Sequence, residues 1–324
     1  MTSVQLRING SDQRHTIDQK PRIQDVFDLV GQTPSVRIRI DPALSAQKIF
    51  VKLEGMNPSG SLKDRAGVAM LRTAIEEGHL TPGKTILDAS SGNFACAVAL
   101  YAKILGYPCE FAVSSKLTAA KRDFLAYLGA TLYTVGDFTI QGNHFCRELS
   151  EKHSDKYFFM DQLHNSQNPG AHYRSTGPEI LAAFPDLAMV VASLGSGGTL
   201  AGVAQYMKKF APHVRIVAVE CASGNRLPGT GSFLDGDYVT PFIRKGYEEQ
   251  LFDEKVLITE AEAARATRWL VNQGIFGGLQ TGGVVHACVN RASALNVKGS
   301  IVAISGDTGW KNLDKLIPAG DKLK

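Results

Sequence analysis

Short apolar segments alternate with longer amphipathic segments from residue 48 to residue 305 of this 324-residue chain. The short segments, such as MVVASLG (189–195) and IVAIS (301–305), are continuously apolar, which is typical of parallel strands buried on both faces. Strands that alternate with helices build parallel sheets covered by helices. Because the pattern runs through the chain twice, it predicts an α/β fold of two domains with a cleft between them.

The same pattern predicts where the helices and the domain boundaries lie. The predicted helices are 64–77, 93–105, 118–130, 140–152, 174–184, 198–210, 261–273 and 281–295. We expect a small domain over 46–150 and a large domain over 151–324, with the segment 1–45 forming an N-terminal arm that packs on the large domain. The segment 221–254 is rich in Gly, Asp and Pro, and it is predicted to be a long functional loop.

Composition and charge narrow the classes of partner. A net charge of +4 is too small to favour a nucleic acid or a membrane surface, and the longest apolar runs are only strand-sized. The first 22 residues are polar and contain no signal-peptide core. The five cysteines are widely spaced without a CxxC pair, which indicates reduced thiols in a cytoplasmic protein. The eight histidines form no metal-binding pattern, so no metal site is predicted.

Lys63 stands between a glycine- and serine-rich turn and a helical segment, in NPSGSLKDRAG (57–67). It could grip a phosphate, form a covalent bond during catalysis, or be an ordinary surface lysine. Phosphate binding by a P-loop is disfavoured, because Ser61-Leu62 stands where that motif requires Gly-Lys. A partly desolvated lysine at the positive end of a helix tends towards the free amine that Schiff-base chemistry needs. The residues around Lys63 alone leave the covalent and the surface alternatives open.

Two further loops of glycine and serine join a strand to a helix. SSGNFA (90–95) offers hydroxyls and backbone N–H groups that could bind a carboxylate, although the same residues make a good turn and helix cap. GSGGTLAG (195–202) fits neither the dinucleotide nor the Walker motif, but it can place several N–H groups around one phosphate. Structural glycines in a tight turn are the alternative. GIFGGLQTGG (274–283) is a weaker signal of the same kind.

SLKDR (61–65), SSGN and GSGGT, in this order and at this spacing, resemble the cysteine synthase (O-acetylserine sulfhydrylase) family. That family is the β-replacement branch of the fold-type II pyridoxal-phosphate (PLP) enzymes, which share a tryptophan synthase β-like fold, and it includes cystathionine β-synthase. The resemblance extends from VFDLVGQTPSVRI (26–38) to the C-terminal strand, and it includes DQLHNSQNPGAHYRSTGPEI (161–180). It implies that the large domain holds PLP and that the small domain closes over the substrate.

The resemblance assigns roles to residues around the cofactor. Lys63 would hold PLP as a Schiff base and act as general base at Cα. Asn93 would hydrogen-bond the 3′-oxygen of PLP. Gln280 would face the pyridine nitrogen, although neighbouring Thr281 could serve instead. The phosphate cradle would consist of Gly195, Ser196, Gly197, Gly198 and Thr199.

The resemblance also implies a substrate site and a reaction. The substrate carboxylate would be bound by Ser90, Ser91, Gly92 and Gln162. An O-activated L-serine would lose its β-leaving group, acetate or phosphate, to give an aminoacrylate, and a second nucleophile would then add. Arg226 could meet a phosphate leaving group, because a guanidinium suits that charge, and a solvated loop arginine is the alternative.

Three departures from the family pattern indicate a specialised member. Gln280 stands where the family usually has a serine, and Phe94 replaces the threonine common after the asparagine. The loop GNRLPGTGS (224–232) resembles that of siderophore-pathway relatives more than that of O-acetylserine enzymes. These differences suggest an enzyme of siderophore or antibiotic biosynthesis instead of the housekeeping cysteine synthase.

Several functions stay open at this point. The second nucleophile could be a sulfur donor, or an amine that gives a 2,3-diaminopropionate-type product from O-phosphoserine. A serine/threonine dehydratase shares the fold and the lysine, and a non-catalytic relative could keep the fold to bind a partner. The family resemblance favours a transferase or lyase of amino-acid biosynthesis that takes a small amino-acid substrate. It also leads us to expect a homodimer.

Overall fold

A computed structural model describes residues 25–40 and 48–317. The strands within these residues are β1 (Ser35–Arg37), β2 (Lys48–Leu53), β3 (Thr85–Ala89), β4 (Cys109–Val113), β5 (Thr131–Thr134), β6 (Tyr157–Phe159), β7 (Leu187–Ser193), β8 (Arg215–Cys221), β9 (Glu254–Ile258) and β10 (Ser300–Ser305). The α-helices are α1 (Lys63–Glu76), α2 (Asn93–Leu105), α3 (Ala119–Tyr127), α4 (Thr139–Lys152), α5 (Gln167–Arg174), α6 (Thr176–Ala183), α7 (Gly198–Phe210), α8 (Pro241–Glu248), α9 (Glu260–Val271), α10 (Leu279–Leu295) and α11 (Leu313–Leu316). Short 3-10 helices cover Val26–Leu29, Glu54–Met56, Phe233–Asp235 and Gly309–Asn312.

The strands form two sheets. One has six strands in the order β1-β2-β10-β7-β8-β9, and the other has four in the order β5-β4-β3-β6. Among the described strands every pair is parallel except β1 with β2. β3 and β10 are buried along their whole length and β7 at all but one residue, as expected when helices cover both faces of a sheet. The prediction of an α/β fold with two helix-covered parallel sheets is confirmed.

The two sheets divide the chain at other places than the predicted boundaries. β2 was expected in the small domain, but it pairs with β10 and β1 in the six-stranded sheet. β6 was expected in the large domain, but it pairs with β3 in the four-stranded sheet. Alternation along the sequence locates a strand without showing which distant strand it pairs with, so both boundaries were misplaced. Residues 1–24 and 41–45 of the predicted arm lie outside the described residues.

Three α-helices were missing from the sequence prediction, namely α5, α8 and the short α11. The segment 221–254 was expected to be one long loop, but it contains α8 and the 3-10 helix Phe233–Asp235. Thr240 caps α8, because its Oγ1 accepts from the Ile243 amide at 3.4 Å, and Pro241 occupies the first turn. This Thr-Pro start was readable in the sequence. α5 contains Pro169 and Gly170, whose low helix propensities argue against a helix at this position of the sequence.

A buried network of charges joins β2, α1 and α6. Arg65 donates to Glu54 through Nε at 2.7 Å, and its two terminal nitrogens donate to the carboxylate of Glu179, each at 2.7 Å. Lys52 donates to Glu179 at 2.7 Å and to the Thr33 carbonyl at 3.0 Å. Burial opposes ionisation of Glu179, but the bonds from Arg65 and Lys52 outweigh it and lower its pKa to about 2. The network fixes the start of α1, where Lys63 lies.

All five cysteines are free, and all five are buried. Burial raises the pKa of the Cys109 and Cys221 thiols to about 11 and that of Cys146 to about 12. The pKa of Cys96 and of Cys288 is also raised by burial. None of the described helices is both long and apolar enough to cross a membrane.

Candidate active site

A cavity of about 310 Å³ is bordered by loops that belong to both sheets. Such a place, beyond the carboxyl ends of parallel strands, is where open α/β sheets bind their ligands. The structure brings most of the predicted site residues to this one cavity. The predicted residues that line it are Lys63, Ser90, Ser91, Gly92, Asn93, Gln162, Gly195, Ser196 and Gln280.

Lys63 is the first residue of α1, and its side chain is half-buried in the cavity wall. The turn before it is held in place, since the Leu62 amide donates to the Gly306 carbonyl at 3.2 Å. The Lys63 amide donates to Ser61 Oγ at 3.3 Å. Burial lowers the pKa of the Lys63 amine to about 8. About a tenth of this amine is therefore uncharged at pH 7, far more than for an ordinary lysine, and this fraction can act as a nucleophile or a base.

The loop 90–93 closes the end of β3 and opens α2. Ser90 Oγ accepts from the amides of Gly92 at 3.4 Å and Ala95 at 3.3 Å, and so it caps the helix. Ser91 Oγ donates to Ser114 Oγ at 3.2 Å and accepts from the Ser114 amide at 2.5 Å, which ties the loop to the end of β4. The positive end of α2 and the hydroxyls of this loop suit a carboxylate.

Gln162 and Asn93 complete this side of the cavity. Gln162 is buried, and its Nε2 donates to the Ala89 carbonyl at 2.8 Å, which leaves its second amide hydrogen and its Oε1 for a ligand. Asn93 Oδ1 is buried and has no hydrogen-bond partner among the described residues. A buried polar atom without a partner is costly, so Asn93 Oδ1 is an acceptor that a hydrogen-bond donor of a bound ligand would satisfy.

The glycine loop 195–199 forms a cradle at the start of α7. The amides of residues 196–199 donate to no acceptor in the described part of the chain. Gly197 has φ +81°, a conformation that glycine adopts without strain. A Cβ on Gly198 would lie 2.1 Å from Asn168 Oδ1, and one on Gly195 would lie 2.7 Å from the Gly229 carbonyl oxygen. The loop has no room for side chains and offers free N–H groups, which suits a phosphate.

Three residues that support this cradle were not assigned a role from the sequence. Asn168 Nδ2 donates to the Gln162 carbonyl at 2.8 Å and to Ser196 Oγ at 3.1 Å. Thr240 Oγ1 donates to the Ser196 carbonyl at 2.7 Å. His172 Nε2 lies 3.2 Å from Thr199 Oγ1. Asn168 and His172 stand in the family-like segment 161–180, so the signal that could have identified them was present.

Gln280 and Thr281 were alternatives for the pyridine nitrogen, and they differ in position. Gln280 lines the cavity, and its Nε2 donates to Ser193 Oγ at 2.5 Å and to the Gly229 carbonyl at 2.8 Å. Thr281 is fully buried, and its Oγ1 is engaged by Asp307 Oδ1 at 2.8 Å, so it does not border the cavity. Gln280 is therefore the residue within reach of a ligand, although both of its amide hydrogens already have acceptors.

Arg226 is not brought together with the other predicted site residues. It does not line the cavity, its side chain is 46% exposed, and its Nη1 donates to Asp237 Oδ1 at 3.1 Å. Its guanidinium lies over the ring of Phe138, 5.5 Å from the ring centroid. Phe138 and Asp237 themselves line the cavity, so Arg226 lies one layer behind its wall. Arg226 is close to a glycine-containing loop in the sequence, but this proximity does not determine the direction of its side chain.

Comparison with known proteins agrees with this geometry. The family model described as pyridoxal-phosphate dependent enzyme matches residues 26–307. Cysteine synthase B of Pseudomonas aeruginosa is 34% identical over 292 residues, which cover 89% of this chain and 95% of that protein. The structure of O-ureido-L-serine synthase matches with a TM-score of 0.84 at 29% identity and covers 94% of this chain and 98% of that one. The structure of O-acetyl serine sulfhydrylase isoform 3 from Entamoeba histolytica matches with a TM-score of 0.82 at 28% identity, over 92% of each chain.

The residues of the cavity fit the cofactor of these relatives. The glycine cradle suits a phosphate, the unpartnered Asn93 oxygen requires a polar group, and the Lys63 amine is uncharged enough to react with an aldehyde. The family match covers most of the chain, and the P. aeruginosa relative is similar along nearly its whole length. The chain therefore belongs to the cysteine synthase family of pyridoxal-phosphate-dependent enzymes and is a β-replacement enzyme.

Proposed function

We propose that the protein exchanges the β-acetoxy group of O-acetyl-L-serine for a second nucleophile, and that the predicted site residues perform this reaction. The observation that carries the proposal is that Lys63, the carboxylate loop 90–93 and the start of the glycine loop border one cavity. A catalytic amine, a carboxylate site and a phosphate site are the three features that an amino acid and PLP require together.

The residues of this chain supply binding and proton transfer. Bound PLP supplies an electron sink for the pair left at Cα when its proton departs. Ser91, Gln162 and the first amides of α2 hold the substrate carboxylate, and this orients the Cα–H bond towards Lys63. The Lys63 amine takes the Cα proton, and the bond from Cβ to the acetate oxygen breaks. After the nucleophile has formed its bond to Cβ, Lys63 returns a proton to Cα.

The positive charges in and near the cavity bear on the choice of leaving group. Acetate is favoured because Arg226, the residue predicted to meet a phosphate, lies outside the cavity wall and is paired with Asp237. O-phospho-L-serine is the second candidate, because Lys116, Lys121 and Lys315 line the same cavity and would attract a more highly charged substrate. The substrate test therefore has to compare the two esters directly.

The test is to add O-acetyl-L-serine and O-phospho-L-serine separately to the PLP-loaded enzyme, while the visible spectrum and the release of acetate or phosphate are followed. We expect a spectral change and stoichiometric release with O-acetyl-L-serine. Release from O-phospho-L-serine alone would establish the second candidate. Oxo-acid as the main product in the presence of a nucleophile would identify a dehydratase. A protein that binds no PLP would contradict the proposal as a whole.

The role proposed for the carboxylate loop can be tested at Ser91. On substrate binding the Ser91 hydroxyl is proposed to turn its hydrogen from Ser114 Oγ to the carboxylate, so we expect Ser91→Ala to raise KM for O-acetyl-L-serine about 10-fold through loss of that hydrogen bond. The matched control is Ser115→Ala, which removes an exposed hydroxyl bonded to Asp137 from a neighbouring segment. A Ser91→Ala enzyme with unchanged KM would show that Ser91 serves only to connect the loop to Ser114.

Three further expectations form part of this proposal. The part of the chain around the four-stranded sheet is proposed to act as the small domain, which closes when the carboxylate reaches the loop 90–93.

The homodimer expected from the family is proposed to use the apolar groove around Trp269 and Val285, on the face that α9 and α10 share. A cytoplasmic location is proposed because all five cysteines are free.

A further inference from the structure

Tyr238, His164 and Asp161 form a hydrogen-bonded chain that begins in the wall of the cavity. Tyr238 lines the cavity, and its Oη lies 3.0 Å from His164 Nε2. His164 Nδ1 lies 2.8 Å from Asp161 Oδ1. The two rings also pack against each other, with 5.7 Å between centroids and 53° between planes. The catalytic roles described above use none of these three side chains.

The chemistry of the partners fixes the direction of these hydrogen bonds. An ionised carboxylate only accepts, so His164 Nδ1 carries a hydrogen and donates it to Asp161. In the neutral imidazole the other nitrogen is then an acceptor, and Tyr238 Oη donates its hydrogen to His164 Nε2. The lone pairs of Tyr238 Oη are left for the cavity. Tyr238 therefore presents a hydrogen-bond acceptor to whatever enters beside it.

Asp161 is held firmly in the orientation that this chain needs. Asn143 Nδ2 donates to the same Oδ1 at 2.8 Å, and Arg147 Nη2 donates to Oδ2 at 2.6 Å. The backbone of Asp161 has φ +52°, a left-handed conformation that is uncommon for a residue other than glycine. Aspartate tolerates this conformation better than most residues, so the two hydrogen bonds from Asn143 and Arg147 are what hold its carboxylate in place.

We propose that Tyr238, His164 and Asp161 accept the proton of the second substrate, and that this substrate is a neutral N–H or O–H nucleophile. This inference rests on the β-replacement function proposed above. As the nucleophile forms its bond to Cβ, its N–H or O–H bond breaks and the proton passes to Tyr238 Oη. The phenolic proton of Tyr238 moves to His164 Nε2, and the charge of Asp161 stabilises the resulting imidazolium.

The protonation state of the nucleophile is what makes such a base useful. Sulfide is already largely an anion near neutral pH, and a thiolate likewise attacks without help from a base. An amide or hydroxyl group is neutral at that pH and is a poor nucleophile until its proton is removed during the attack, and a neutral azole has to lose its N–H proton to give a neutral product. Tyr238, which is hydrogen-bonded to His164 and through it to Asp161, therefore favours neutral N–H or O–H nucleophiles over anionic sulfur nucleophiles.

The test compares nucleophiles that do and do not carry a proton to be lost. Tyr238→Phe keeps the ring that packs on His164 and removes Oη. Product formation from O-acetyl-L-serine is measured with hydroxyurea as O–H probe, pyrazole as N–H probe and sulfide as anionic probe. We expect the ratio of kcat/KM for hydroxyurea or pyrazole to that for sulfide to fall about 100-fold in Tyr238→Phe. Tyr127→Phe, at a tyrosine that is 87% exposed, is the control and should leave this ratio unchanged.

A second variant separates a proton relay from a packing role. His164→Gln should lower the same ratio, and the double variant should lower it little further, because residues that act as one unit are not additive. An equal loss with sulfide and with the neutral probes, or no loss at all, would overturn the inference. Acetate release by the wild-type enzyme without any nucleophile is measured separately. If no acetate is released, the β-replacement function itself is contradicted. If acetate is released but the ratio of kcat/KM for the neutral probes to that for sulfide is the same in the variants and the wild type, only the proton relay is contradicted.

Discussion

Replacing Lys63 with alanine is expected to lower kcat/KM for O-acetyl-L-serine about 10⁴-fold, because this one side chain is proposed to provide both the reactive amine and the base at Cα. The amine lies in the cavity, and burial lowers its pKa to about 8. Borohydride reduction followed by peptide mapping should find the cofactor attached to Lys63 in the wild-type protein and to no residue in the variant. Far-UV circular dichroism of Lys63→Ala should match that of the wild type.

Lys121 is the appropriate control, because it also lines the cavity and its pKa is also lowered by burial. Lys121 belongs to α3 and to neither the glycine loop nor the carboxylate loop, and the reaction proposed for O-acetyl-L-serine gives it no proton-transfer or covalent role. We expect Lys121→Ala to retain the covalent attachment of PLP at Lys63. A reduced peptide that carries the cofactor on Lys121 would overturn the assignment of Lys63.

Replacing Arg65 with methionine is expected to lower the free energy of unfolding by about 3–5 kcal/mol. The substitution keeps the volume of the side chain but leaves the buried carboxylate of Glu54 and that of Glu179 without their main partner. Urea denaturation at neutral pH measures the loss. Arg72→Met, on the exposed side of the same helix, is the control and should cost less than about 1 kcal/mol. An equal cost at both positions would show that the buried network adds no stability.

The same network gives the wild-type protein a defined acid sensitivity. The pKa of Glu179 falls from 4.5 to about 2 on folding, so its ionised form favours the folded state. This contribution is fully present above pH 4.5 and is lost as the pH falls towards 2. In Arg65→Met the unfolding free energy should depend less on pH across this window. An unchanged slope would assign the acid sensitivity to other carboxylates.

Local patterns in the sequence were sufficient to predict most individual elements. The limits predicted for α2 and α7, 93–105 and 198–210, agree with the structure residue for residue. Both helices begin at a glycine-containing turn and have an apolar face, which are local properties. The sheet to which β2 or β6 belongs is set by hydrogen bonds to strands far away in the sequence, and the domain boundaries were misplaced for that reason.

For the site as well, the sequence predicted local features and missed those that depend on contacts between distant residues. Loops that connect a strand to a helix were predicted to gather, and Lys63, Ser90 and Ser196 do border one cavity. The direction of a side chain on such a loop is decided by its neighbours, so Arg226 pairs with Asp237 instead of facing the cavity. The contact of His164 with Tyr238 joins residues 74 positions apart, and no spacing rule could have found it.

The burial of all five cysteines also protects their thiols from chemical modification, because a β-replacement enzyme generates a reactive carbon atom. A β-carbon that has lost its leaving group is an electrophile, and thiolates are among the nucleophiles that it would attract most strongly. Cys96 stands three residues after Asn93, yet it is only 1% exposed and burial raises the pKa of its thiol. Protonated and enclosed thiols cannot intercept the electrophile. The fold thus protects the catalyst from alkylating itself while it offers that carbon to an external nucleophile.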